Sequence, residues 1–351
     1  MTSFIVKPDR EYIGYFDFKT LSCLFCTLAV VCALKNIRFF TYLSRKIVVL
    51  AGNVRSAVLT LVYITFIGSM ILANDMALIT FLPLGYYVLS STGKTEYAAF
   101  CFIMQNISAN LGGMLTPFGN PQNLYIYTRF GIPTGEFMGI MLFPFLLSVT
   151  LLTICCLFLP GTKIHLSDNE DIVLPAARTT VYIVLFVLAI AVVFRAVNYI
   201  VGFAVILAAM LFLDREALGK VDYALLGTFT CFFIFAGNMS RIGAVREFIG
   251  TLLEKNTLLV STLSCQFISN VPSAILLSRF TENYPSLLVG VNIGGVGTLI
   301  ASLASLITFS EYTAHFPGRK SVLRYLGLFS AFNFDFLIVL TLFCSIVLGM
   351  K

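Results

Sequence analysis

The chain is dominated by long apolar runs, and two of them are interrupted at their centres. Residues 20–36, 97–128, 136–159, 179–195, 197–213, 222–238, 286–309 and 325–350 read as membrane spans. A helical crossing needs about 20 mostly apolar residues. The run 57–90 is broken at Asn74-Asp75, and the run 257–280 at Ser269-Asn270-Val271-Pro272. Each half is too short to cross alone, so both read as re-entrant hairpins with polar tips near mid-bilayer. Irregular backbone at that depth is tolerated only where it is buried in protein or lines a watery cavity.

Composition supports this class. Only 11% of the 351 residues are charged and 58% are hydrophobic, against about 25% charged in soluble chains. A soluble enzyme, a disordered chain and a secreted disulfide scaffold are excluded. The apolar runs lack period-2 alternation, which argues against a membrane barrel. An integral, multi-pass protein of a bacterial-type plasma membrane is expected, with the lipid bilayer as its surroundings. The net charge of +6 is spread over short loops, so it is a topology signal and not a nucleic-acid patch. Of nine cysteines most lie in apolar runs, and Cys23-x-x-Cys26 falls inside the first span as apolar filler. The two histidines, His165 and His315, lie in polar loops, which argues against a His-based metal site and a catalytic triad. No enzyme activity and no cofactor are expected. Gly93-Lys94-Thr95 fails as a phosphate-binding loop, because Val88 stands where that motif needs glycine. Lys7, Asp9, Arg10 and Glu11 precede the first run and no cleavage site follows it, so that run reads as a span and not a signal.

Lys35, Arg38, Arg45, Lys46 and Arg55 follow the first span with no acidic residue among them, which places that loop in the cytoplasm. Counting onward puts both termini outside. Residues 20–159 then read as a span, an amphipathic stretch (39–53), a hairpin, a broken span and a span. Residues 222–351 repeat that order, with the amphipathic stretch at 242–256, and start from the opposite side. The region 160–221 is a loop and a linking helix pair, and 1–19 an N-terminal segment. Asn110-Leu-Gly-Gly-Met-Leu-Thr116 stands against Asn292-Ile-Gly-Gly-Val-Gly-Thr298, and the tips share Asn74 and Asn270. Inverted repeats with paired discontinuous helices mark secondary transporters.

A broken helix leaves backbone groups that a ligand can satisfy. Half-helix N-termini suit an oxyanion and unwound carbonyls suit Na⁺. Thr116-Pro-Phe-Gly-Asn-Pro-Gln-Asn123 puts two prolines and Gly119 inside a span, with amides at Asn120, Gln122 and Asn123. The second break carries Gly297, Ser302 and Ser305. Of the seventeen acidic residues only Asp75 and Asp335 fall inside these segments away from their first residues, and intramembrane acids are functional candidates by default. Substrate contact is expected at Asn74, Thr116, Asn120, Asn123, Ser269, Asn270, Thr298 and Ser302. Cation coupling is expected at Asp75, Asn110, Gly119, Asn292 and Gly297. Asp335 is a candidate proton relay or a structural acid.

Four motifs in order carry a resemblance. They are Ala73-Asn74-Asp75-Met-Ala-Leu, Asn110-x-Gly-Gly-x-Leu-Thr-Pro-x-Gly-Asn-Pro-Gln-Asn123, Ser269-Asn270-Val-Pro-x-Ala274 and Gly290-Val-Asn-Ile-Gly-Gly-x-Gly-Thr-Leu-Ile-Ala301. The chain resembles the ion transporter superfamily from about residue 20 onward, and within it the citrate-transporter-like permeases, related to divalent-anion/sodium symporters and arsenite permeases. The resemblance implies an all-α polytopic fold with two re-entrant hairpins and two broken helices. It also implies an elevator mechanism, a possible homodimer, and cation-coupled (Na⁺ or H⁺) transport of a small organic anion such as citrate. The symporters carry Ser-Asn-Thr tips. Here Val271 follows Ser269-Asn270, and the first tip reads Ala73-Asn74-Asp75. That departure keeps open a sodium/proton exchanger or an arsenite or anion efflux permease. The first repeat also lacks two leading helices that the second has at 179–213.

Overall fold

A computed structural model describes residues 2–42, 51–164 and 173–351. Among them the regular structure is helical, apart from one bridge pair, Asn53 with Lys163. Seven helical segments are long and apolar enough to cross a membrane. The stretch 39–53 and the loop 160–178 fall partly outside the described residues, as does His165.

The first helix, α1 (Phe18–Asn36), starts at Asp17, whose carboxylate accepts from Thr20 N at 2.9 Å. It is apolar on every side and buried along most of its length, as expected of a central helix. The interrupted run that follows forms α2 (Val54–Leu72) and α3 (Asn74–Ser91), joined through Ala73. These arms have 19 and 18 residues, so the expectation that each half is too short to cross is corrected. At 1.5 Å per residue α2 reaches about 28 Å, close to the bilayer core. The sequence reading misjudged this arm because it ignored Asn53, which starts α2 earlier through a reciprocal cap with Ser56. Helix α4 (Ala98–Gly112) packs against both α2 and α3.

After α4 the chain leaves the helix through a tight turn at Gly113–Leu115 and resumes as α5 (Pro121–Arg129). Pro121 sits at the start of α5, where its missing N–H costs nothing. Four longer helices follow, α6 (Thr134–Leu157), α7 (Ala176–Val193), α8 (Tyr199–Leu213) and α9 (Tyr223–Arg241). Helices α7 and α8 pack on α1.

Helix α10 (Gly243–Ile268) is kinked at Asn256, whose side chain accepts from Leu259 N at 2.8 Å. The kink separates the amphipathic 243–255 from a 12-residue arm, 257–268. A short α11 (Asn270–Leu277) returns from the tip. Here both arms are short, as expected. The second break lies between α12 (Tyr284–Ile293) and α13 (Leu303–His315), and α14 (Arg319–Ile346) ends the fold. His315 is therefore the last residue of a helix and not in a loop, and it stacks on Tyr86. Glycines set the contact between α10 and α12. A Cβ at Gly290 would meet Ser261 and one at Gly294 would meet Cys265, each under 3 Å away.

Candidate functional site

At both tips the chain adopts one unusual conformation. Ala73 has φ 68° and ψ 149°, and Ser269 has φ 71° and ψ 159°. Non-glycine residues rarely occupy this region, at a cost of about 1–3 kcal/mol, and such strain clusters at functional sites. Each strained residue is followed by an asparagine whose own Oδ1 accepts the next backbone N–H, Asp75 N or Val271 N.

Each tip is seated on a helix break. Asn74 Nδ2 donates to Asn110 Oδ1 of α4 at 3.2 Å, and Thr116 Oγ1 donates to the Met70 carbonyl at 2.9 Å. At the second tip the contacts run through backbone. Asn270 N donates to the Ala301 carbonyl at 2.9 Å, and Ser269 Oγ reaches the same oxygen at 3.2 Å. Gln266 braces this break. Its Nε2 donates to the carbonyls of Gly294 and Val296, and its Oε1 accepts from Thr298 N at 2.9 Å. Gly297 has φ +123°, and a Cβ there would strike Gln266. Ser302 caps α13, its Oγ accepting from Ser305 N at 3.3 Å.

A buried amide cluster joins the two breaks. Asn292 of α12 donates to Asn123 Oδ1 at 2.6 Å and accepts from Asn120 at 3.1 Å and Gln122 at 3.4 Å. Asn123 Nδ2 donates to carbonyls unwound after α4, those of Gly113, Met114 and Thr116. Asn120 Nδ2 also reaches the Asn110 carbonyl. Asn110, Asn120, Asn123 and Asn292 are all essentially inaccessible to water. Gly119 shapes the first break, since a Cβ there would meet the Gly113 carbonyl and Thr116 Oγ1.

Between the tips lies a cleft of about 450 Å³, lined by Asn74, Asp75, Gln122, Asp222, Ser269 and Asn270 among others. The first residues of α3, α5, α11 and α13 (Asn74, Pro121, Asn270 and Leu303) all line it. Four helix N-termini, each the positive end of a helix dipole, thus border one space. Among the described residues no lysine or arginine lines it. Three buried acceptor oxygens in and beside it have no partner among the described residues: Asp75 Oδ1, Gln122 Oε1 and Asn120 Oδ1. Buried acceptors are normally satisfied, so these atoms suit a cation or a donor brought by a ligand.

Of the expected site residues, Asn74, Asp75, Ser269 and Asn270 meet at the cleft. Asn110, Asn120, Asn123 and Asn292 form the amide cluster, which reaches the cleft through Asn74 and Gln122. Thr116, Gly119, Thr298, Gly297 and Ser302 shape the two breaks. Asp335 does not join them. It is on an exposed face of α14 and, among the described residues, lines neither this cleft nor the adjoining 60 Å³ cavity. Sequence reasoning missed three residues. Asp222 faces the cleft while its carboxylate caps α9 through Leu225 N; as the first residue of the span 222–238 it looked like a span end facing water. Gln266 and Asn106 looked like polar interruptions of apolar runs. Asn106 donates to Ser305 of α13 and Asn333 of α14. Their offset by helical turns from Asn270 and Asn110 was the available signal.

Several membrane-spanning helices, two discontinuous helices and a cleft between two asparagine-bearing tips define a multi-pass transporter. The chain belongs to the citrate transporter family, which it matches over residues 1–284. It is similar to an uncharacterized transporter of Methanocaldococcus jannaschii, with 33% identity covering 87% of this chain and 83% of that one. It is also similar to the inner membrane protein YbiR of Escherichia coli, with 28% identity covering 88% and 83%. A shorter likeness, 30% identity over 35% of this chain and 24% of the other, links it to the silicon efflux transporter LSI3 of Oryza sativa subsp. japonica. The protein is a transporter and not an enzyme.

Proposed function

We propose that the protein is a cation-coupled secondary transporter of a small organic anion, a di- or tricarboxylate such as citrate. The observation that carries this reading is the convergence of four helix N-termini on one cleft between two strained tips. Such ends stabilise a carboxylate without any basic side chain. The cleft volume lies within the usual range for small-ligand sites. The charge balance supports coupling. A polyanion placed beside Asp75 and Asp222, with no lysine or arginine in the lining among the described residues, is repelled unless Na⁺ or protons enter with it. Asn270 and Ser269 face the anion in this reading, Asp75 and Gln122 the cation, and Asn292 holds the two breaks in register.

Alternating access follows from an inverted repeat, 20–159 against 222–351, with 160–221 as the link. Tips and broken helices move as one body against a scaffold that includes α7 and α8, and a homodimer fits that scaffold role. The test is reconstitution in liposomes with imposed Na⁺ or pH gradients. Saturable, gradient-driven uptake of citrate or a dicarboxylate is expected. Gradient-independent, non-saturable flux would indicate a channel and overturn the reading.

A second reading, efflux of arsenite or a related oxyacid, is favoured by Asp75 in the first tip and by the likeness to a silicon efflux transporter. Export of arsenite or silicic acid with no carboxylate uptake would replace the first reading by this one.

A further inference from the structure

A second cleft, of about 410 Å³, lies apart from the inner one. It is bordered by the chain around Tyr15–Lys19, the last turn of α5 and Arg279. Tyr125 and Arg129 lie one turn apart on α5 and both touch Ser278. Tyr125 OH pairs with its hydroxyl at 2.9 Å, and Arg129 Nε donates to its carbonyl at 3.2 Å. This brings Arg129 beside the next residue, Arg279, and Lys19 borders the same cleft.

Among the described residues no carboxylate lies within ion-pair distance of these three cations, and Asp17 acts on Arg279 only at longer range. Asp17 also borders the cleft, but its carboxylate is engaged by Thr20 N and Thr20 Oγ1. Each guanidinium has five N–H donors. Arg129 spends one on Ser278, and Arg279 donates from Nη2 to the Tyr15 carbonyl. Arg279 Nε is buried with no partner among the described residues. Two guanidiniums side by side with unspent donors are unfavourable in isolation and suit an anion that bridges both in bidentate fashion. Part of the rim is apolar and outward-facing, since Phe18, more than half exposed, borders the cleft together with Tyr199.

We infer that the Lys19–Arg129–Arg279 cleft binds a phosphate group, separately from the transport site. The exposed Phe18 on its rim places it where the phosphate of an anionic lipid can enter with its chains alongside Phe18 and Tyr199. Free phosphate shares the headgroup chemistry and is separated from it by experiment.

The full-length protein in detergent is titrated with phosphatidylglycerol, phosphatidylcholine and inorganic phosphate, read by native mass spectrometry and thermal shift. Phosphatidylglycerol is expected to bind and stabilise, and phosphatidylcholine not to. Substituting Arg129→Gln together with Lys19→Gln is expected to weaken binding by about ten- to a hundredfold, the loss of one or two charge-assisted hydrogen bonds. Both residues sit at the rim, so the variant retains its fold, whereas Arg279→Gln also frees the Tyr15 carbonyl and serves only as a third arm. Binding of inorganic phosphate as well would extend the site to free anions; its absence would restrict the site to lipid. Equal binding of the two lipids, or binding unchanged in the double variant, overturns the inference.

Discussion

At Ala73 and at Ser269 the chain makes the same strained turn, yet the two asparagines that follow are used differently. Asn74 spends its Nδ2 inside the protein, on Asn110 Oδ1. Asn270 Nδ2 makes no hydrogen bond among the described residues, and Asn270 lines the cleft. The arms differ in the same sense. The first tip stands on helices of 19 and 18 residues. The second ends a 12-residue arm and begins an 8-residue helix, and it is held through the Ala301 carbonyl and the Gln266 side chain. A tip held by backbone can leave its side chain for a ligand. A tip held by its side chain cannot, so the first works as a wall with Asp75 beside it. Half-helix ends in apolar surroundings need partners, and the two tips meet that need from opposite directions.

The largest expected effect comes from the residue that keeps the tips in register. Asn292→Ala removes a donor to Asn123 and an acceptor for Asn120 and Gln122. Three buried groups lose partners, and a cost of about 2–4 kcal/mol is expected, allowing for the modest worth of side-chain bonds in membrane proteins. Denaturant unfolding in detergent measures it. Wild-type stability in this variant would mean that the tips are positioned independently, and the comparison between them would lose its common frame.

Next come the tips themselves. Asn270→Ala is expected to lower uptake at least about a hundredfold, the equivalent of about 2.7 kcal/mol, while stability falls less than in Asn74→Ala, because only its local bonds from Val271 N and Ser269 Oγ are lost. Asn74→Ala should lower transport and stability together, because Asn110 Oδ1 loses its partner. If Asn270→Ala destabilises more than Asn74→Ala, the two roles have been assigned the wrong way round. Asp75→Asn keeps the shape of the first tip and removes its charge, so uptake should lose its response to a Na⁺ or pH gradient. Coupling that persists in this variant would reduce Asp75 to a helix-start residue.

Much of this arrangement is legible from residues alone. The tips were located by polar residues in apolar runs, because Asn74 and Ser269-Asn270 have no other reason to sit there. Pro117, Pro121 and Gly119 mark the first break, and Gly297, Ser302 and Ser305 the second. What escaped was partnership. The spacing of Asn292 on α12 does not reveal that it meets Asn123, because the two are 169 residues apart. Gln266 braces the second break from four residues before Asn270, and a single polar side chain in an apolar helix gives no direction. Asp335 misled for the converse reason. A charge inside an apolar run marks depth, and only the helix face, here an exposed one, decides what it can reach.

The smallest effect separates the two tips most sharply. Ala73→Gly relieves a backbone conformation that costs about 1–3 kcal/mol for a residue with a Cβ, and glycine returns about 0.4–1 kcal/mol through the unfolded chain. A net gain of about 1 kcal/mol is expected, because the Ala73 methyl makes no polar contact. Ser269→Gly relieves the same strain but loses the hydroxyl bond to the Ala301 carbonyl, worth about 0.5–1.5 kcal/mol. Its net change should be near zero. Unfolding midpoints of the two variants measured side by side give the difference directly. Equal gains would show that the Ser269 hydroxyl contributes nothing to seating the second tip, leaving Asn270 N and Gln266 to do so. A loss at Ala73→Gly would remove strain from the account of both tips, since they share one conformation.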